Sequence, residues 1–361
     1  MKRSRVFVLF EVSPTSRDKE RYTRTISNDL DIFFLDLSEF VDRGKSSSYR
    51  DHSVLEGVLR LNQFSSILKF FREQSSSAIY ISRLGNTYRA SLIHLTIKLS
   101  NGTIIKSPQS LVPAGHESVN FTLRLMARGI RDFFKRKVES FLVDYAVITS
   151  ISAEKSSNIK GVIYSHQFDY DSFLGSVCLV DKSERKYFVF LDEFVPFHPD
   201  NINRKVSDCE PDKYYRSINK IFDQIELRFN CNVVIAAHPR SNYVINPFGD
   251  RKIEYGNTQN LVFSSMAVLM HASTSVSFAI LGGKPIISLI SSSYSDYYKQ
   301  TILEMSSATD SHLLDIDTEL LRFLPPVNNR AYQKYIVDYI RHPRAIDQFW
   351  MDAVLTRLQS A

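Results

Sequence analysis

Hydrophobic residues occur along this chain in short dense runs. Longer stretches lie between the runs, and there apolar residues recur every three or four positions. Val6-Phe7-Val8-Leu9-Phe10 is one dense run, and its unbroken apolar character predicts a buried strand. Asp31-Ile32-Phe33-Phe34-Leu35-Asp36 predicts a second strand and Ala78-Ile79-Tyr80-Ile81 a third. Between them Leu55, Leu59, Phe64, Ile67, Leu68 and Phe71 fall at near-helical spacing and predict a helix over 55–71. A helix is expected over 90–99, then a turn at Asn101-Gly102 and a short strand at Thr103-Ile104-Ile105. A long amphipathic helix is expected over 121–142. Strands at Tyr145-Ala146-Val147-Ile148-Thr149 and Gly161-Val162-Ile163-Tyr164 follow it.

The alternation restarts after the charged stretch Asp181-Lys182-Ser183-Glu184-Arg185-Lys186. Tyr187-Phe188-Val189-Phe190-Leu191 predicts a strand, 212–229 a helix and Asn232 to Ala237 a strand. Short strands are expected at Leu261-Val262-Phe263 and Ala267-Val268-Leu269-Met270, a helix start at 275–281 and a strand at Pro285 to Leu289. The tail from Ala331 to Leu358 reads as an amphipathic helix, and the serine clusters at 46–48, 75–77 and 291–293 read as loops. No internal repeat of fixed period is present. Strand–helix alternation on both sides of a polar link predicts an α/β protein of two Rossmann-like domains, 1–182 and 183–361. Open parallel sheets bind ligands beyond the carboxyl ends of their strands, so the site is expected in a central cleft lined by residues that follow strands.

Composition narrows the class without choosing a ligand. In 361 residues, 43% hydrophobic and 23% charged, wholesale disorder is excluded, and length alone predicts about two domains. The net charge of +6 favours anionic partners. Cys178, Cys209 and Cys231 lie far apart without a CxxC pair, which argues against a disulfide framework or structural zinc and for a reducing compartment. Met1-Lys2-Arg3-Ser4-Arg5 has the basic character of a signal n-region. The apolar run behind it stops at Glu11, too soon for a signal core or a membrane span. A cytoplasmic protein, with the inner face of the plasma membrane as a place of work, is the expectation.

Four strand ends carry polar groups suited to chemistry. Ala236-Ala237 leads into His238-Pro239-Arg240-Ser241-Asn242, where imidazole, guanidinium and amide groups suit a phosphate, and Pro239 biases His238 to an extended backbone. Met270-His271-Ala272 leads into Ser273-Thr274-Ser275, a hydroxyl-rich turn at a predicted helix start, which can cap the helix or hold an anion. Tyr164 is followed by Ser165-His166-Gln167-Phe168-Asp169-Tyr170-Asp171, and Leu191 by Asp192-Glu193-Phe194. Asp169, Asp171 and Glu193 are the candidate general bases. Gly282-Gly283-Lys284 follows its helix instead of preceding it, so no P-loop is formed.

His238-Pro239, then Ser273-Thr274-Ser275 about 35 residues on, then Gly283-Lys284-Pro285, resembles the C-terminal domain of GT-B glycosyltransferases. Among these it is most similar to the sialyltransferase-like and Kdo-transferase-like enzymes of bacterial surface polysaccharides. The resemblance implies an acceptor-binding first domain and a nucleotide-sugar-binding second one, with the C-terminal helix free to cross back. It places His238, Pro239, Ser273, Thr274 and Ser275 on the nucleotide and its phosphate, and the guanidinium of Arg240 at the same strand end is a further candidate for that site. It implies inverting, metal-independent transfer, with a CMP-linked acidic sugar as the leading donor and a glycan or lipid-linked glycan as acceptor. The chain departs from the pattern at the acidic D/E-D/E-G motif: Asp192-Glu193 runs into Phe194, and Asp169-Tyr170-Asp171 also lacks the glycine. Two alternatives stand beside this reading, a CDP-polyol phosphotransferase of teichoic-acid type and a noncatalytic nucleotide-binding scaffold.

No metal or other cofactor is expected, because the histidines show neither HExxH nor zinc-finger spacing. His52, His94, His116 and His312 read as surface or packing residues. Arg124, Arg128, Arg131, Lys135, Arg136 and Lys137 interleave with Phe121, Leu125, Phe133, Phe134 and Phe141. This is either a solvated helix face or a contact for an anionic membrane surface. No nucleic-acid recognition motif accompanies the charge, so no nucleic-acid partner is expected.

Overall fold

The computed structural model describes residues 4–25, 30–41, 56–74, 78–107, 113, 137–159, 161–176, 187–198 and 207–359. They form two compact units. One comprises Met1–Leu111, Val119–Asp171 and Arg341–Ala361, the other Val112–Ser118 and Ser172–Ile340. The charged stretch 181–186, the basic positions Arg124, Arg128, Arg131, Lys135 and Arg136, and His52, His116 and Cys178 lie outside the described residues, whereas Lys137 begins the described helical stretch 137–142.

The first unit is built on β1 (Ser4–Phe10), β2 (Leu30–Asp36), β3 (Val58–Arg60), β4 (Ile79–Ser82), β5 (Thr103–Lys106), β6 (Tyr145–Ile148) and β7 (Gly161–Tyr164). They pair in the order β3-β2-β1-β4-β5-β6-β7, every pair parallel. Successive side chains of a strand leave opposite faces, so a strand covered on both sides must be apolar throughout. β1 meets that demand. Phe7 and Leu9 pack with Ile67 and Phe71 of the helix Phe64–Glu73 and with Ile93 and Ile97 of the helix Tyr88–Leu99. Val6, Val8 and Phe10 pack on the other face with Tyr22, Phe168, Trp350 and Val354.

The second unit is built on β8 (Tyr187–Leu191), β9 (Asn232–Ala236), β10 (Ile253–Glu254), β11 (Ala267–Met270), β12 (Ile286–Ile290) and β13 (His312–Asp315). The order is β10-β9-β8-β11-β12-β13, again parallel throughout. Phe188 and Phe190 of β8 are covered by Ile218, Ile221, Phe222 and Ile225, one side of the helix Pro211–Phe229. The expected α/β class with two parallel sheets is therefore what the chain adopts.

Three local expectations are corrected. The span 55–71 is not one helix: β3 comes first and the helix starts at Phe64. Gly57 stands at φ 80°, outside the helical region, and Leu59 pairs instead with Leu35 of β2. Leu261-Val262-Phe263 lies in the helix Thr258–Ser264, with all three side chains buried. A short apolar run does not by itself separate a strand from a buried helical turn. The tail is helical at Asn329–Tyr335 and Trp350–Gln359, with a wide π-type turn at Ile336–Ile340 and a break at His342-Pro343. Pro343 disfavours a helical backbone at His342, and Arg341 bridges to His166 beyond β7. His94 is a packing residue, buried with its Nε2 2.8 Å from Ser82 Oγ.

The C-terminal helix is fastened to the first unit by a buried acid. Asp171 Oδ1 accepts the Trp350 N–H at 2.8 Å and lies 3.5 Å from His166 Nε2, which also meets the Gln348 carbonyl at 2.8 Å. Burial pushes the Asp171 carboxyl up to about 7. Between about pH 4 and pH 7 the folded chain holds a proton that the unfolded chain has released, so this contribution to stability falls as pH rises. Asp171→Asn keeps an oxygen for the Trp350 N–H and cannot ionise, and it is expected to flatten that decline. Trp350 is the only tryptophan, so urea midpoints read from its fluorescence near pH 5 and pH 7.5 check this. Equal pH dependence in the two proteins would refute it.

Candidate functional site

Strand order reverses between β8 and β11. The chain leaves β8 toward β9 and β10 on one side and later returns to β11, β12 and β13 on the other. At such a point the loops beyond neighbouring strands diverge and leave room for a ligand. The residues there are Asp192 and Glu193 after β8, His238 after β9 and the turn His271–Ser275 after β11.

Asp192 and Glu193 reach to different sides. Asp192 Oδ2 accepts the His238 N–H at 3.2 Å and the Tyr243 hydroxyl at 2.7 Å, while Oδ1 accepts the Phe194 N–H at 2.8 Å. Glu193 Oε1 accepts the N–H groups of His271 at 3.2 Å and Ala272 at 2.7 Å, and Oε2 accepts the Tyr298 hydroxyl at 3.2 Å. Desolvation raises both acids against these bonds: Asp192 is shifted up, and Glu193 is pushed to about 7. Phe194 follows at φ 52°, a left-handed backbone that is uncommon for a bulky residue. Its ring packs edge-on against Tyr243, centroids 5.5 Å apart.

His238 is half-buried. Its Nδ1 accepts the Arg240 N–H at 3.2 Å, so in the neutral ring the proton sits on Nε2. Its carbonyl takes both the N–H and the hydroxyl of Ser241, at 2.9 and 2.8 Å, which closes a tight turn. The His198 ring lies 5.3 Å away. Pro239 and Arg240 are exposed. Beyond β11, Ser273 Oγ accepts the Ser275 N–H at 3.3 Å, and Ser275 caps the short helix Val276–Leu281 by position, without a side-chain cap bond. Ser273 and Ser275 are half-buried and Thr274 is exposed. β9 and β11 are separated by β8, two strand spacings or about 10 Å.

The other sequence-derived positions lie elsewhere. Gly283-Lys284-Pro285 immediately precedes β12, at the amino edge of the sheet, and Lys284 Nζ donates to the Ser265 carbonyl at 2.8 Å. The helix Val276–Leu281 carries the chain from the ligand edge back to the opposite edge, so this part of the resemblance does not join His238 and Ser273. Asp169 and Asp171 belong to the first unit, on the helix Phe168–Ser176. Asp169 is half-buried, whereas Asp171 is 1% exposed and engaged with Trp350. That enclosure bars Asp171 from meeting an acceptor hydroxyl in this conformation. Among the described residues no group of three His, Cys, Asp or Glu side chains forms a metal set, and no helix is long and apolar enough to cross a membrane.

Sequence reasoning missed the supports beneath the turn. His271 is fully buried, with Nδ1 2.8 Å from the Leu289 carbonyl and Nε2 3.1 Å from the Tyr214 hydroxyl. A carbonyl only accepts, so Nδ1 carries the proton and Nε2 receives the tyrosine's. Phe190, Tyr294 and Tyr298 enclose the ring. A second feature passed unnoticed at the corresponding reversal in the first unit. There Glu11, after β1, accepts the Gly85 N–H at 2.6 Å in the loop after β4, and Arg83 pairs with Asp18. The available signal was an acidic residue directly after the first strand of each unit.

No family model matches this sequence, and no curated protein matches it. Among solved structures the chain is similar to a UDP-N-acetylglucosamine 2-epimerase at 14% identity and a TM-score of 0.50, over 100% of this chain and 95% of that one. A putative UDP-N-acetylglucosamine 2-epimerase from Listeria monocytogenes matches at 12% identity and 0.50, covering 99% and 96%. The UDP-GlcNAc 2-epimerase from Methanocaldococcus jannaschii matches at 11% and 0.50, covering 99% and 100%. The likeness is one of fold: two parallel-sheet α/β units of the GT-B type.

Burial holds the His271 imidazole down to about 4, so it is neutral above about pH 5. Nitrogen-15 shifts of histidine-labelled protein are expected to show a fixed Nδ1–H tautomer for His271 from pH 8 to about pH 5. A His271 resonance that titrates near 6.5 would contradict the assigned bonds.

Proposed function

We propose that this chain is a nucleotide-sugar enzyme of surface-glycan assembly, a glycosyltransferase that holds the donor's phosphates between His238 and the Ser273–Ser275 turn. The observation that carries the reading is the placement of both groups beyond the two strands that flank β8, where Asp192 takes the His238 N–H and Glu193 the Ala272 N–H just before the turn. The Nε2 proton of His238 and the hydroxyls of the turn are fixed donors of the kind that stabilise a departing phosphate. Such donors make a metal-independent transfer chemically sufficient. A carboxylate accepting the acceptor hydroxyl's proton completes an inverting displacement. Fold relatives that are UDP-N-acetylglucosamine 2-epimerases support a nucleotide sugar as ligand. The resemblance of the His-Pro and Ser-Thr-Ser motifs supports a CMP-linked acidic sugar within that class. Work at the cytoplasmic face of the membrane fits a lipid-linked glycan acceptor.

Calorimetric titration with CMP, UDP, GDP and CDP-glycerol separates the donors, and CDP-glycerol turnover would select the polyol-phosphate reading. In His238→Ala the affinity for the bound nucleotide is expected to fall at least tenfold, the scale of a hydrogen bond to a charged group. Unchanged affinity and unchanged transfer would sink the phosphate-site reading. Asp169→Asn tests the half-buried acid as base: loss of turnover by about 100-fold or more with nucleotide affinity kept identifies it.

A further inference from the structure

Asp192 and Glu193 are adjacent in sequence, yet each reaches a different ligand loop. Asp192 takes the backbone N–H of His238 and the hydroxyl of Tyr243, which lies five residues further along the same loop. Glu193 takes two consecutive backbone N–H groups, His271 and Ala272, just before Ser273. Tyr298, on the helix Asp296–Thr309, donates to the second oxygen of Glu193. In all, six N–H and O–H donors converge on the two carboxylates. We infer that this pair is a brace that sets the position of the His238 loop against the Ser273–Ser275 turn, and that Asp192 and Glu193 are positioning residues for the ligand, not bases.

The geometry argues against the base role for both. A base needs an oxygen turned toward the acceptor hydroxyl within hydrogen-bond reach. Each oxygen of Glu193 already accepts a donor, from the turn after β11 or from Tyr298, and Asp192 is buried with a donor on each oxygen as well. A fixed carboxylate does suit the positioning task. β8 lies between β9 and β11, so a two-residue unit at its end reaches both loops. Backbone N–H groups, not side chains, are what it mainly holds, so it fixes the path of each loop.

What the loops hold rests on the nucleotide reading above; the brace itself does not. The test therefore has two arms. In the first, hydrogen–deuterium exchange is measured on the unliganded protein. Glu193→Ala is expected to speed exchange at 271–276 and leave 238–243 near wild type, and Asp192→Ala is expected to do the reverse. Unchanged exchange in both segments, or equal acceleration of both by either variant, overturns the brace. Should the alanine variants fail to fold, Tyr298→Phe and Tyr243→Phe remove one donor from each side and are expected to give the same contrast more weakly.

In the second arm, nucleotide affinity and turnover are compared. Glu193→Gln keeps an oxygen for the two N–H groups and is expected to restore most of the affinity that Glu193→Ala loses by tenfold or more. A base would show the opposite split, with turnover lost about 100-fold or more in Glu193→Gln and affinity intact, and that result overturns the inference. If the wild-type protein binds none of CMP, UDP or GDP at millimolar concentration, the nucleotide reading fails and the exchange arm alone decides the brace.

Discussion

The fold turns on a problem at the middle of each parallel sheet. Where strand order reverses, the loops beyond two neighbouring strands run apart, and no ladder hydrogen bond joins them. Their backbone N–H groups need partners. The chain supplies a glutamate within two residues of the end of the first strand of each unit. Glu11 takes the N–H of Gly85 across the β1–β4 reversal, and Glu193 takes those of His271 and Ala272 across the β8–β11 reversal. One carboxyl side chain satisfies donors that regular structure leaves open, at the point where the strand order reverses.

Placing acids there has an electrostatic cost. Desolvation raises Asp192 and pushes Glu193 to about 7, even though each accepts several hydrogen bonds. The surroundings answer with hydroxyls instead of cations: Tyr243 donates to Asp192 and Tyr298 to Glu193. Tyr214 donates to His271, which burial keeps neutral, and Phe190 and Tyr294 pack against its ring. Neutral donors in a low-dielectric setting give strong, directional bonds without adding a fixed charge beside the proposed phosphate site. The result is a turn whose backbone is set before a ligand arrives, the condition under which fixed dipoles stabilise developing charge most effectively.

Much of this was legible in the chain, and what was not has definite physical reasons. Dense apolar runs such as Val6–Phe10 and Tyr187–Leu191 became central strands because only apolar residues fill both faces of a covered sheet. The residues after those strands then pointed to His238, Glu193 and the Ser273–Ser275 turn. Periodicity failed where local geometry overrode it, at Gly57 inside an apparent helix and at Pro343 inside the tail. It failed again at Leu261-Val262-Phe263, where three buried apolar residues read alike as strand or helix. Asp171 follows a strand as Glu193 does, yet its strand is the edge strand β7, and its neighbour there is the returning C-terminal segment with Trp350. Position after a strand therefore marks a candidate, and Asp171, beyond the edge strand β7, is taken up by the core instead.

Phe194 shows how tightly the edge is determined. A bulky residue at φ 52° is strained, and glycine would adopt that backbone freely. The conformation persists because Asp192 Oδ1 holds the Phe194 N–H while the ring packs against both Phe197 and Tyr243. Tyr243 in turn donates to Asp192 Oδ2, so the turn, the ring and the carboxylate form one closed set of contacts. A glycine would remove the strain and also the ring that holds Tyr243 in place. Phe194 thus exchanges conformational ease for packing that keeps the Asp192 side of the edge in register with His238.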